Sequence, residues 1–221
     1  MRKYFGRPEP IWIAAVAIAS VLLLSTLIVP LWKMELIAPQ YPEGLVMRAY
    51  GYKFAEDPSS HYDDVKEING LNHYIGMKPI EEVTEMDLFI PGVAALVVFA
   101  FAASFVTWKR NWLKALTILG FWTMPLFFVA DLQYWLYHYG HTMKEEAPLN
   151  PGAFTPKVFG STNVWNFHSE TSFEIGFYLM LAAGLVVSLP PLVAWLRSRF
   201  GRERTVSSRV AQAQHGGARA S

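Results

Sequence analysis

Cysteine is absent from the 221 residues. That removes disulfides, the C-x-x-C-H attachment of a c-type haem, iron–sulfur clusters, thiolate zinc sites and thiolate-bridged copper. Any metal or redox chemistry must therefore use His, Met, Asp, Glu or Tyr. A nucleophile motif, a Gly-rich phosphate loop and a zinc-hydrolase helix are also missing. Net charge is close to zero, at +1. The basic residues flank apolar runs and form no patch of their own, which argues against nucleic acid as a partner.

Hydrophobicity is what the chain has in quantity, with 52% apolar residues and a mean hydropathy of +0.22. A helix needs about 20 apolar residues to cross roughly 30 Å of hydrocarbon. Four stretches reach that length: Ile11 to Leu31, Leu88 to Trp108, Leu113 to Tyr134 and Phe173 to Leu196. The sequence thus predicts an all-α membrane protein with four transmembrane helices (11–31, 88–108, 113–134 and 173–196) and a small α+β extracytoplasmic subdomain in the first outer loop. Ala17-Ile18-Ala19 has the look of a signal-peptide cleavage site. Because the apolar run continues to Leu31, a retained anchor is the expectation.

Charge orients the spans, since cytoplasmic flanks hold an excess of Lys and Arg. On one side lie 12 of the 19 basic residues with two acids, against seven basic and 16 acidic residues on the other. This predicts a multi-pass protein of the bacterial inner membrane with a cytoplasmic N-terminus (1–10), a cytoplasmic turn (109–112), a disordered cytoplasmic tail (197–221) and two periplasmic loops (32–87 and 135–172). Trp12, Trp32, Trp108, Trp112, Trp135, Trp165 and Trp195 fall near the expected boundaries, as interfacial aromatics do.

Within the first outer loop, Pro39 and Pro42 predict an extended crossing segment. Leu45 to Phe54 reads as a strand pairing with Asp64 to Ile68, and Asn69 to Ile80 as a structured loop. In the second, the third helix stays periodic through Tyr139 before Gly140 weakens it. Thr171 to Glu174 has the spacing of a capping box for the last helix.

Candidate chemistry lies in these loops. Asp131, Tyr134, His138 and His141 share one stripe of a continuing helix, and two imidazoles one turn apart can meet a single ion. His73 and Met77, four residues apart, pair imidazole with thioether, a soft set that suits Cu(I). Met34, Met47, Met86 and Met143 also lie in or beside the outer loops. The predicted metal ligands are His73, Met77, His138 and His141, with Asp131 and Tyr134 orienting the imidazoles. Plainer readings stand beside these: an amphipathic helix end at His138, a loop bond at His73 and a packing role for Met77. His61, beside Asp63 and Asp64, reads as a solvated turn; His168 with Glu170 precedes the last helix, and His215 has no assigned role.

Three motifs carry a resemblance: Leu36-Ile37-Ala38-Pro39-Gln40-Tyr41-Pro42-Glu43-Gly44-Leu45, Ile68-Asn69-Gly70-Leu71-Asn72-His73-Tyr74-Ile75-Gly76-Met77 and Tyr137-His138-Tyr139-Gly140-His141. In these the chain resembles a family of small four-span membrane proteins encoded beside nitrous-oxide reductase and its copper-maturation factors in bacteria. Val164 to Glu170 departs from the Asn-Phe-Asp-Ala-Tyr type of sequence expected of that family. The resemblance implies an association with denitrification or periplasmic copper handling and supplies no catalytic residue. The expectation is an accessory protein, more in keeping with a non-enzyme, that binds copper at its periplasmic face. It would support a periplasmic copper reductase, with the lipid bilayer and other membrane or periplasmic proteins of a copper or redox system as partners. An electron-transfer or docking subunit, and a structural subunit without metal, are the alternatives.

Overall fold

The computed structural model describes residues 10–60, 63–80, 84–106, 111–143, 147–148 and 151–217. His61 and Trp108 fall outside these. Among the described residues are five helices, α1 (Pro10–Ser25), α2 (Asp64–Tyr74), α3 (Thr84–Val106), α4 (Asn111–His141) and α5 (Ile175–Gly217). Five strands accompany them: β1 (Trp32–Ala38), β2 (Tyr41–Ala49), β3 (Phe54–Glu56), β4 (Gly160–Val164) and β5 (Phe167–Phe173).

The expectation of an all-α, four-span fold is overturned. Three helices among the described residues are long and apolar enough to cross a membrane, over Glu85–Phe105, Asn111–His141 and Ile175–Arg197. They make the chain membrane-associated. The first apolar run does not convert wholly into helix. α1 has 16 residues, about 24 Å at 1.5 Å per residue. Thr26, Leu27 and Ile28 then bond three residues back in tight turns, and the Thr26 hydroxyl donates to the Leu23 carbonyl at 2.6 Å. Pro30 supplies no donor to carry a helix onward.

α1, α3, α4 and α5 nonetheless pack as a ring in which α1 and α4 each touch both α3 and α5. Val16, Ala19, Leu23, Val93, Ala100, Phe121, Met180, Ala183 and Val187 fill its centre. Indole-to-hydroxyl bonds tie neighbours together, Trp12 to Ser104 at 3.0 Å and Trp122 to Ser188 at 3.1 Å. Such interhelical polar bonds stabilise packing where lipid offers no alternative partner. Trp12 is therefore a buried helix-to-helix contact, with the Lys114 ammonium 5.5 Å from its ring. Val98, Leu119, Leu126, Phe127 and Leu185 point outward and exposed, as lipid-facing residues do.

The sheet is antiparallel in the order β3-β2-β1-β5-β4. β1 sits at its centre, with Trp32 opposite Ala49 on one side and Phe173 on the other. Strands from before α3 and after α4 therefore form one body, on one side of the spanning helices. Pro39 and Gln40 make the turn between β1 and β2, so the expected crossing segment is a hairpin; Pro suits a turn because its φ is already set.

Two local expectations fail for identifiable reasons. Asp64 to Ile68 is helix, because Asp63 accepts the Lys66 amide at 3.1 Å as an N-cap and acidic Asp64 and Glu67 occupy the first turn. The buried Asp64 carboxylate accepts from the Val46 amide and the Ser60 hydroxyl, which pins α2 to the sheet. Thr171 to Phe173 belongs to β5. The Thr171 hydroxyl bonds the Lys157 and Gly160 carbonyls, and the Glu174 amide donates to Leu31 at 2.9 Å. No capping box forms, since its donors are already engaged by the sheet. α5 continues to Gly217, so the tail is helical from Arg197 to Gly217, where its composition predicts disorder.

Candidate functional site

One face of the sheet carries Trp32, Met34 and Leu36 of β1 with Leu45, Met47 and Ala49 of β2. The period of two makes them neighbours, and they pack against Ile68 and Leu71 of α2. α4 supplies the remaining wall. Its 31 residues span about 46 Å at 1.5 Å per residue, more than the bilayer core requires, so its last turns project and place Leu132 and Leu136 against the sheet. The Gly140 amide plane lies against the chain at Phe154, whose N–H donates to the Gly140 carbonyl at 3.1 Å. A Cβ on Gly140 would lie 1.9 Å from the Phe154 oxygen. Gly140 thus allows a close approach, while the helix runs past it to His141.

Between these walls is an apolar cavity of about 130 Å³ lined by Met34, Met47, Met77, Trp135, Tyr139 and Phe167, among others. Met34 and Met47 stand directly opposite one another in the β1–β2 register. Met77 arrives by a different route. α2 ends at Tyr74, Gly76 adopts φ 78, the Gly76 amide donates to His73 and the Met77 amide donates to Asn72 at 2.8 Å. That is the Schellman arrangement, in which the residue after the left-handed glycine folds back on the last helical turn. The Asn69 side chain completes the anchor: its oxygen accepts the Ile80 amide at 2.6 Å and its nitrogen donates to the Ile80 carbonyl. The segment expected as a loop is thus half helix and half a capped return.

The predicted ligands are brought together only in part. His73 and Met77 line one pocket with Asn69, Lys78 and Pro148, of about 430 Å³. Met77 also lines the apolar cavity, so it stands in the wall between the two. His138 and His141 line neither. The His138 ring stacks on Tyr134, at 6.0 Å between centroids, and meets Trp135 edge-on at 5.6 Å. His141 stacks on Tyr137 at 3.9 Å, and its Nδ1 lies 2.9 Å from the Tyr137 carbonyl oxygen. That oxygen can only accept, so Nδ1 carries a proton, which leaves Nε2 as the nitrogen by which a neutral ring would ligate. Asp131 faces Trp135 and the Glu85 carboxylate of α3, and Tyr134 meets His138 by its ring face. Neither orients an imidazole by hydrogen bonding in the manner predicted. His168 is held inside its own hairpin, Nδ1 with Asn163 and Nε2 with Glu170.

Among the described residues, no three His, Asp or Glu side chains group closely enough to hold an ion. Methionine sulfur is the soft donor the fold concentrates. Met34 and Met47 were visible in the sequence as outer-loop methionines. Their pairing depends on a strand register that nothing local announces. A third hollow, polar in its lining, lies at the far edge of the sheet between Glu43, Asp57 and Asp64. There the Ser59 amide and hydroxyl, and then Arg48 at 2.7 Å, hold the Asp57 carboxyl down to about 2.

The chain matches no protein-family model and no curated protein.

Proposed function

We propose that the chain is a membrane-anchored accessory protein that binds copper on its sheet-bearing face and supports the assembly or metal supply of a periplasmic copper reductase of the denitrification type. One observation carries the copper reading: the cap of α2 sets His73 and Met77 into a single pocket, with Met77 opening onto a methionine-lined cavity. Imidazole and thioether are neutral, soft donors and select copper over hard cations. The compartment and client rest on charge and on the resemblance. Lys114, Arg197 and Arg199 lie near the ends of the apolar spans remote from the sheet, and the positive-inside bias supports a sheet on the periplasmic side.

Elemental analysis of the full chain, purified in mild detergent after growth with copper, tests this. About one copper per chain is expected, lost on combined His73→Ala and Met77→Leu substitution. Protein free of copper under those conditions overturns the reading.

An electron-transfer or docking role has one observation of its own. The rings of Tyr134, Trp135, His138 and Tyr139 form a contiguous aromatic cluster at the projecting end of α4, beside a cavity that a quinol ring could enter. Organic extraction of the purified protein separates the two readings, since stoichiometric quinone supports this one alone.

A further inference from the structure

Resting on the copper reading, we propose that Met34, Met47 and Met77 form an inner, all-thioether site for Cu(I), loaded through His73. The three arrive from three separate segments at one cavity. Met34 and Met47 are fixed as cross-strand partners in a five-stranded sheet, where opposed side chains stand about 5 Å apart at Cβ. Met77 is delivered to the same space by the left-handed Gly76 and the Met77-to-Asn72 bond.

Packing alone does not account for the arrangement. Methionine is the side chain best able to fill irregular gaps, and interiors normally close to crystal-like density. Three methionines line this space with eighteen other residues, and about 130 Å³ of it, partly open to the surface, remains unfilled. Thioethers stay neutral and release no proton on ligation, and they favour the monovalent, softer oxidation state of copper over Cu(II) or Zn(II). Trp135 and Tyr139 share the wall, and aromatic faces can balance a lone positive charge where no carboxylate is present. His73 is exposed and shares its pocket with Met77. An ion meeting imidazole and thioether at the surface has only to exchange His73 for Met34 and Met47 to pass inward. The metal enters and leaves as Cu(I), so no electron transfer is needed.

The test is an anaerobic titration of the detergent-solubilised full chain with Cu(I) against a chromogenic Cu(I) chelator, together with X-ray absorption at the copper edge. The wild type should bind Cu(I) with sulfur as its nearest scatterers. Met34→Leu and Met47→Leu, which conserve volume, should each weaken binding by about tenfold or more, since losing even an outer-shell partner of a metal ligand costs about that much. His73→Ala should slow the uptake of Cu(I), with sulfur still the nearest scatterer once copper is bound. Because a leucine variant could lose its fold, protein grown on selenomethionine provides the second measurement: copper–selenium scattering is expected. Copper bound with unchanged affinity in both leucine variants, or without selenium scattering, overturns the thioether site and leaves the copper reading standing. A wild type that takes up no Cu(I) overturns both.

Discussion

The Trp32 indole donates to the Val158 carbonyl oxygen at 2.7 Å, joining the first residue of β1 to the segment that leads into β4, 126 residues away in sequence. Trp32 is 1% exposed, so the donor end of this part-buried bond is withdrawn from water. This pair stitches the two halves of the sheet across the helices between them. Trp32→Phe keeps most of the ring and removes the donor, and should cost about 0.5–1.5 kcal/mol, the net worth of one hydrogen bond whose acceptor is part-buried. Trp32→Ala adds a cavity and should cost about 3–5 kcal/mol. Thermal unfolding in detergent, followed by tryptophan fluorescence, ranks the two.

Gly140→Ala should be costly even though alanine is the better helix former. The added Cβ would meet the backbone oxygen of Phe154 at 1.9 Å, and backbone cannot swing aside as a long side chain can. Overpacking of this kind costs about 1–3 kcal/mol. Limited proteolysis should show new cleavage near residues 152–156, where the displaced segment loses its seat. Unaltered protection there would mean that α4 and this segment do not touch.

Gly76→Ala tests the cap that positions Met77. At φ 78 a Cβ adds about 1–2 kcal/mol of strain, and Gly76→Asn should recover part of it because Asn tolerates the left-handed region. On the copper reading, Cu(I) affinity should follow the same order: glycine strongest, asparagine next and alanine weakest. Competition titration of the three proteins provides the check.

The sheet edge should loosen in acid. Asp57 is held at about 2 against an ordinary value of 3.8, chiefly by the Ser59 amide and hydroxyl and then by Arg48. Folding depresses this carboxyl, so its contribution to stability is complete above the unfolded value and disappears as pH falls from about 4 through about 2. Asp57→Asn should remove that acid-dependent part and destabilise the β2–β3 edge at neutral pH. Unfolding midpoints measured across this range, wild type against variant, should converge at the acid end.

The outer features of this fold are legible in the chain, and the site is legible only in part. Apolar runs at Leu88, Leu113 and Phe173 announce spanning helices because crossing hydrocarbon demands length and composition, both local properties. The run from Ile11 to Leu31 meets the same criterion, yet its last residues turn off to feed the sheet. The spacing of His73 and Met77 pointed to a shared pocket, although the cause is a helix that stops at Tyr74 and folds back at Gly76, not a continuing turn.

What the sequence determined by itself is three of the four apolar spans it predicts, over 88–108, 113–134 and 173–196, together with the exclusion of cysteine chemistry. These follow from residue type alone, since lipid and water discriminate residues wherever the chain carries them. Tertiary structure decided the rest. Met34 meets Met47 because β1 and β2 take one register across Pro39 and Gln40, and a slip of one residue would turn both away from α4. β5, more than 120 residues further on, closes the other side of β1. Strand pairing is a bond between distant backbones that are chemically alike, so the residues in each strand do not name their partners; the packing of the whole does.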